Sequence, residues 1–238
     1  MIKKEKSCEY SEMASFYDVL YCGKNYQNEV QFINNFINDK VKTLIDLGCG
    51  TGEHLKELSK LNSKINLTGL DLNVEMLEVA KNKNKGNFFQ GDILDFISNK
   101  KFDFAISMFA VLNHLKSYKQ FKKALCNTKE LLKENGVFIF DLHNPLKNGC
   151  KVDEINKIKR FMQWKINKIF GIEKTNITYE INGKTYKAKH TFKIYKINKL
   201  KKIIEKKGFK ILGIYENYTL NYATEKSKNL QFVLQKNC

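Results

Sequence analysis

The alternation of apolar and polar residues divides the chain into segments of two periods. Phe32, Ile33, Phe36 and Ile37 fall at helical spacing, so residues 10–40 are expected as helix. VKTLIDLG is a short continuous apolar run, as in a buried strand, and residues 52–61 return to a helical period with Leu55, Leu58 and Leu61 on one face. INLTGLDL is expected as a second strand, with Asn73 placed to cap the helix VEMLEVAKNK after it. NFFQGDIL and KFDFAISMF read as third and fourth strands. Residues 117–134 put Phe121, Ala124, Leu125, Thr128 and Leu132 on one stripe, with Asn135-Gly136 as the helix stop, and GVFIFDLHN follows as the fifth strand. Strand alternating with helix on this scale predicts a parallel, doubly wound sheet.

Beyond about residue 160 the pattern changes. RFMQWKI, KTNITYEI and KTYKAKHTFKIY alternate with the period of strands, and Asn182-Gly183 between the last two is a hairpin signal. The helix LKKIIEKKG ends at Gly208, and FKILGIYENYT and NLQFVLQK close the chain as two strands. The insert is thus a small antiparallel layer after the fifth strand, near the sheet edge where open α/β folds bind ligands. The single proline, Pro145, marks the exit from that strand.

Composition narrows the class. The 238 residues are 42% hydrophobic, which suits a globular core. No run approaches the roughly 18 apolar residues of a membrane span. MIKKEKSCEY has charges but no apolar stretch behind them, so no secretory signal is expected. Cys8, Cys22, Cys49, Cys126, Cys150 and Cys238 include no C-x-x-C pair, which points to free thiols in a reducing cytoplasm and to no metal site. The net charge of +17 is almost all lysine, with Arg160 the one arginine. Nucleic-acid readers lean on arginine forks, so the excess fits a solvated surface or an acidic small-molecule partner better than nucleic acid. A homodimer is compatible with this composition.

Candidate chemistry starts at LIDLGCGTGEHL. Gly48, Gly50 and Gly52 follow a strand and open a helix, so main chain can approach a ligand closely and the helix start offers N–H donors. The spacing is not the G-x-G-x-x-G of dinucleotide folds, and Asp46 precedes it. Asp71 closes the second strand, where a carboxylate can accept both ribose hydroxyls, and Asp92 follows the third at the height of an adenine edge.

With DLGCGTG, GLDL, GDILDF and LLKENGVFIFD in this order, residues 40–145 resemble the class I S-adenosylmethionine-dependent methyltransferases. The resemblance implies S-adenosyl-L-methionine as methyl donor and S-adenosyl-L-homocysteine as product. It assigns to the donor Asp46, Gly48, Gly50, Gly52, Asp71, Leu72, Asp92, Ile93 and Met108, the last packing on the adenine. FYDVLYCGKNYQNE and SMFAVLNHL are similar to segments of the deoxysugar N,N-dimethyltransferases, with Asn25 where that group has Asp. That likeness implies a helical lid in which Tyr26 contacts the donor and Tyr21 faces the acceptor. The expected architecture is α/β: a Rossmann-like seven-stranded methyltransferase sheet with its last strand antiparallel, flanked by helices. Its parts are a lid (residues 1–40), a donor-binding core (41–150), an antiparallel cap (151–196) and the completion of the core (197–238).

Methyl transfer from a sulfonium is an in-line displacement, so alignment and exclusion of water dominate. Aromatic faces at Tyr21 and Tyr26 suit the sulfonium charge. An acceptor that must lose a proton needs a base; His114 in LNHL is the first candidate and His143 in DLHN the second. Asp141 and Asn144 are placed to orient substrate, His190 to reach inward from the cap, and His54 is expected on the surface. The place after the fourth strand holds SMFAVLNHL rather than N/D-P-P-Y, and Leu146 follows Pro145 rather than a cysteine, which argues against base-amino and cytosine C5 enzymes. The expected activity is methyl transfer to N or O of a small molecule, with a nucleotide-linked or phosphorylated sugar leading. An RNA or protein methyltransferase and a non-catalytic S-adenosylmethionine-binding module stand as alternatives.

Overall fold

The computed structural model describes residues 10–181 and 183–237, so the expectations for Cys8, Asn182 and Cys238 lie outside the described residues. Five parallel strands alternate with helices as the hydropathy pattern predicts. They are β1 (Thr43–Leu47), β2 (Asn66–Asp71), β3 (Asn87–Gln90), β4 (Phe102–Ser107) and β5 (Leu132–His143), joined by β10 (Phe209–Glu216) and β11 (Asn229–Lys236). The seven-stranded order is β10-β11-β5-β4-β1-β2-β3, and β11, the last in the chain, runs antiparallel to both neighbours.

Helices cover both faces. Helices α5 (Tyr118–Leu131) and α6 (Ile197–Lys206) pack Phe121, Leu125, Leu200 and Ile204 against Phe138, Phe140 and Phe232. On the other face α3 (Glu53–Leu61) and α4 (Val74–Lys83) place Leu55, Leu58 and Leu77 against Leu44, Phe104 and Val233. Asn73 caps α4 as expected, its side chain accepting from the Met76 N–H at 2.8 Å.

Four expectations need correction. The N-terminal helix is two: α1 (Tyr10–Leu20) and α2 (Tyr26–Asn34), separated by a turn around Gly23. The Asn25 side chain starts α2 by accepting from the Asn28 N–H at 2.9 Å, a role in which Asn and Asp are equivalent. Asn135-Gly136 does not stop α5, because the strand already begins at Leu132. The pair sits inside β5, with Asn135 at φ 63, where the register against β4 shifts between Phe102 and Phe104. On α3 it is His54, 6% exposed, that joins Leu55 and Leu58 on the buried face, while Leu61 is 44% exposed. The insert has four strands, not three, since β6 (Gly149–Ile155) precedes β7 (Ile158–Asn167), β8 (Ile172–Ile181) and β9 (Lys184–Lys193). Its charged sequence GCKVDEI hides an edge strand with little buried surface.

Two sets of contacts show how the four-stranded layer is tied to the rest. Ile158, Ile177, Tyr179 and Ala188 form one hydrophobic cluster with Met13 and Leu20 of α1. Asn113 donates to the carbonyls of His143 (3.0 Å) and Lys193 (2.8 Å) and accepts from the His143 N–H (2.9 Å), pinning the end of β9 to the end of β5.

Candidate active site

The turn after β1 has Gly48, Gly50 and Gly52 all at positive φ (89°, 54° and 77°), the conformation that favours glycine. The backbone N–H groups of Gly48 and Cys49 both donate to the Leu70 carbonyl, at 2.7 and 2.9 Å, and the Gly50 N–H donates to Asp71 Oδ2 at 2.7 Å. The other Asp71 oxygen accepts from the Asn73 N–H at 2.9 Å. Burial nonetheless pushes the Asp71 carboxyl above its ordinary range. A side chain at Gly48 would lie 2.7 Å from the Val111 methyls, whereas the space beside Gly50 is open.

These residues line a cavity of 480 Å³ at the C-terminal ends of β1, β2 and β4. Gly48, Gly50, Asp71, Leu72, Asp92, Ile93 and Met108 are all on its wall, and Tyr26 and His114 also reach it. Asp92 opens a turn by accepting from the Leu94 N–H at 2.8 Å. Asp46 and Gly52 are not on the wall. Asp46 is buried with both carboxylate oxygens lacking a protein partner, and burial pushes it up to about 7. Gly52 instead closes on α4, where a Cβ would meet Asn84 and Ala80.

Immediately after β4, Phe109 and Ala110 are both left-handed (φ 65° and 59°), a strained pair for non-glycine residues. Two successive N–H groups in this conformation converge on an anion, and the buried Asp141 carboxylate fills that place. It accepts from the Phe109 N–H at 3.0 Å and the Ala110 N–H at 2.6 Å, and from the Tyr218 hydroxyl. Asp141 therefore shapes the turn, where the sequence suggests a residue that orients substrate. Asn144 is likewise structural, donating to the Ser227 carbonyl at 3.0 Å.

The turn presents Phe109 and His114 to a second cavity of 910 Å³ lying between the sheet edge and the four-stranded layer. Phe109, His114 and Tyr17 line both cavities, so the two share a wall there. Tyr21, His143 and His190 face the second one. The ring of His114 is 6.0 Å from that of His190 and 4.7 Å from Phe192. Burial, reinforced by His190, lowers His114 to about 4, so its imidazole is neutral at physiological pH. His143 Nε2 lies 3.3 Å from Glu173 Oε2, a residue the sequence reading missed.

The matching family model, a methyltransferase domain, covers residues 44–136. An uncharacterised protein of Methanocaldococcus jannaschii is 32% identical over 228 residues, covering 91% of this chain and 81% of the relative. A dTDP-3-amino-3,4,6-trideoxy-alpha-D-glucopyranose N,N-dimethyltransferase of Streptomyces venezuelae is 31% identical over 134 residues, spanning 54% of this chain and 56% of that enzyme. The crystal structure of an S-adenosylmethionine-dependent methyltransferase from Clostridium acetobutylicum superposes with a TM-score of 0.84 at 22% identity, covering 96% and 99% of the two chains. The chain belongs to the class I S-adenosylmethionine-dependent methyltransferases.

The donor cavity of this methyltransferase fits such a cofactor. Open space beside Gly50 admits a ligand against main chain, and the buried Asp46 carboxyl at the end of β1 has polar atoms that no protein group satisfies. Helix α1 closes over the glycine loop: Asp18 accepts from the Thr51 hydroxyl and from Lys83 Nζ, each at 2.5 Å. Next to it His54 is no surface residue, because its Nε2 lies 2.7 Å from the buried Glu29, which also pairs with Lys24. Although burial works the other way, those two partners hold Glu29 below the ordinary carboxylate range. Lys24 Nζ sits over the Tyr26 ring at 4.2 Å and the Phe109 ring at 4.7 Å, beside the junction of the cavities. Tyr21 packs edge-on to Phe109 at 5.0 Å with the Arg160 guanidinium over its ring.

Among the described residues no group of His, Cys, Asp and Glu could hold a metal ion, and no helix is long and apolar enough to cross a membrane. Cys22, Cys49, Cys126 and Cys150 are free thiols.

Proposed function

We propose that this methyltransferase moves a methyl group from S-adenosylmethionine to a nitrogen or oxygen of a small molecule, with a nucleotide-linked or phosphorylated sugar as the leading acceptor class. The observation that carries this reading is the wall shared by the two cavities at Phe109 and His114. Partial similarity to the aminosugar dimethyltransferase supports the sugar class. On this reading Tyr26, Gly48, Gly50, Asp71 and Leu72 hold the donor with Asp92, Ile93 and Met108, while Asp46 and Gly52 shape the loop from behind. Residues 1–40 act as a lid and 151–196 as a cap on a core built from 41–150 and 197–238, in a cytoplasmic protein.

When bound, the sulfonium supplies an activated methyl group. The chain's own part is to align the acceptor, exclude water and handle the acceptor's proton. A neutral His114 at the junction does not repel the sulfonium charge. Its pKa of about 4 makes it a poor proton acceptor at neutral pH, because general bases work best near the operating pH. His143, which lines the acceptor cavity, is the remaining candidate for proton uptake, with Tyr21 positioning the acceptor.

The test is incubation with methyl-labelled S-adenosylmethionine and a panel of nucleotide-linked amino sugars and small amines, with total RNA and protein in parallel. Saturable label in a low-molecular-weight product, insensitive to salt, is expected. Label confined to RNA, with binding that weakens steeply as salt rises, would overturn the reading. Retained donor with no label transferred to any pool would make the chain a binding module.

A further inference from the structure

We propose that Glu173 is a positioning residue for His143: a carboxylate on the cap that fixes which ring nitrogen carries the proton, so that the other can take one from an amine acceptor. The inference rests on the methyltransferase reading above.

Glu173 is 3% exposed on β8, on the strand face that also carries Thr175 and Ile177 toward the second cavity. A carboxylate buried among cap residues is costly unless its oxygens are used. Here Oε1 accepts from the Thr175 hydroxyl at 2.5 Å, while Oε2 is buried without a hydrogen bond and has His143 Nε2 facing it at 3.3 Å. Against the opposing effect of burial, these partners keep Glu173 below the ordinary carboxylate range, and it stays ionised at neutral pH.

His143 is held from the other side of the cavity. Its backbone N–H and carbonyl both bond to the Asn113 amide, so the ring leaves a fixed main-chain position at the end of β5. An ionised carboxylate only accepts, so a His143 ring that bonds to it must present a proton on Nε2, which leaves Nδ1 as the nitrogen to take one from an acceptor. The other titratable groups facing this cavity are His114, His190 on β9, Asp141 on β5, Arg160 on β7, Tyr17, Tyr21, Lys24, Glu29, Tyr218, Lys147, Cys150 and Lys228. Asp141 is taken by the Phe109–Ala110 turn and the Tyr218 hydroxyl, Arg160 by a two-pronged bond to Asp153, and Glu29 by His54 and Lys24.

In the step this implies, an N–H bond of the acceptor's ammonium breaks and its electron pair remains on nitrogen. The proton goes to His143 Nδ1, and the resulting imidazolium faces the Glu173 carboxylate. The nitrogen pair then forms the N–C bond while the C–S pair returns to sulfur. His143, 39% exposed at the side chain, passes the proton to solvent.

The experiment is ¹⁵N-histidine NMR of the full chain, whose four histidines are assigned by single His→Gln variants. The expected result is an Nε2–H tautomer for neutral His143 in the wild type. That preference should be kept in Glu173→Gln, whose carbonyl still accepts, and lost in Glu173→Ala. A merely structural glutamate would change stability without moving the tautomer. An Nδ1–H tautomer in the wild type, or the same tautomer in wild type and Glu173→Ala, would overturn the proposal. S-adenosylhomocysteine affinity, measured alongside by calorimetry, is expected to agree within about twofold across the variants. Its absence in the wild type would defeat the methyltransferase reading instead, whatever the tautomer.

Discussion

On the donor side, main chain does most of the shaping and partners are near in sequence. Asp71 holds Asn73 and Gly50, 2 and 21 residues away, and the glycine turn hangs on the Leu70 carbonyl. On the acceptor side, side chains from distant segments meet: Asn113 joins His143 and Lys193 at separations of 30 and 80 residues, and Tyr218 reaches Asp141 over 77. The donor turn is thus a local motif that survives change elsewhere. The acceptor wall is an assembly, which substitutions on the cap can respecify without disturbing the turn.

Asp141 stands between the two sides, and removing it is expected to have the largest effect. Asp141→Ala leaves two backbone N–H groups and a tyrosine hydroxyl without their acceptor. Each buried unsatisfied group costs about 1–3 kcal/mol, so a loss of about 3 kcal/mol or more is expected in urea unfolding. A cost under about 1 kcal/mol would show that the Phe109–Ala110 turn holds itself and that the sides are not joined there.

Gly48→Ala strikes the donor turn where it packs on Val111, next to the Phe109–Ala110 turn. A Cβ at φ 89° and 2.7 Å from the Val111 methyls is expected to cost about 1–3 kcal/mol by the same measurement. Tolerance without loss would mean that the turn is less rigid than its geometry implies.

On the acceptor side the sign of the pH dependence is fixed by His114. Its folded-state pKa of about 4 lies below the ordinary 6.5, so its contribution is present above 6.5 and is lost as pH falls toward 4. The stability of wild type relative to His114→Gln should therefore rise with pH between those values. Comparing the two chains isolates this histidine from the buried Asp46, Asp71 and Asp141, whose raised pKa values act in the opposite sense. Equal slopes would contradict the burial of the ring.

Arg160→Lys is expected to have the smallest effect. It exchanges the two bonds to Asp153, at 2.8 and 2.6 Å, for a single point contact, at about 1 kcal/mol, read as a lower melting temperature.

The contrast between the two sides also explains what the sequence made legible. Alternate glycines between a strand and a helix, followed by Asp71 and Asp92 at successive strand ends, form a pattern of short separations. Sequence reading located the 480 Å³ cavity through them. Glu173 and Asn113 carry no local signature, because their partners are set by how the cap folds back on β5. Asn135-Gly136 misled for a related reason: the same dipeptide that ends a helix also lets a strand irregularity adopt φ 63 at Asn135. His54 looked exposed because its buried partner Glu29 lies 25 residues earlier, on another helix.

The separability of donor and acceptor sides is tested most directly by calorimetry of S-adenosylhomocysteine with the wild type, Asp71→Ala and His143→Asn. Loss of the Asp71 bonds to Gly50 and Asn73 is expected to weaken binding by about 100-fold, and His143→Asn to leave it within about twofold. Equal affinity for Asp71→Ala and wild type, or a large loss in His143→Asn, would contradict the division of the site into a main-chain donor turn and a side-chain acceptor wall.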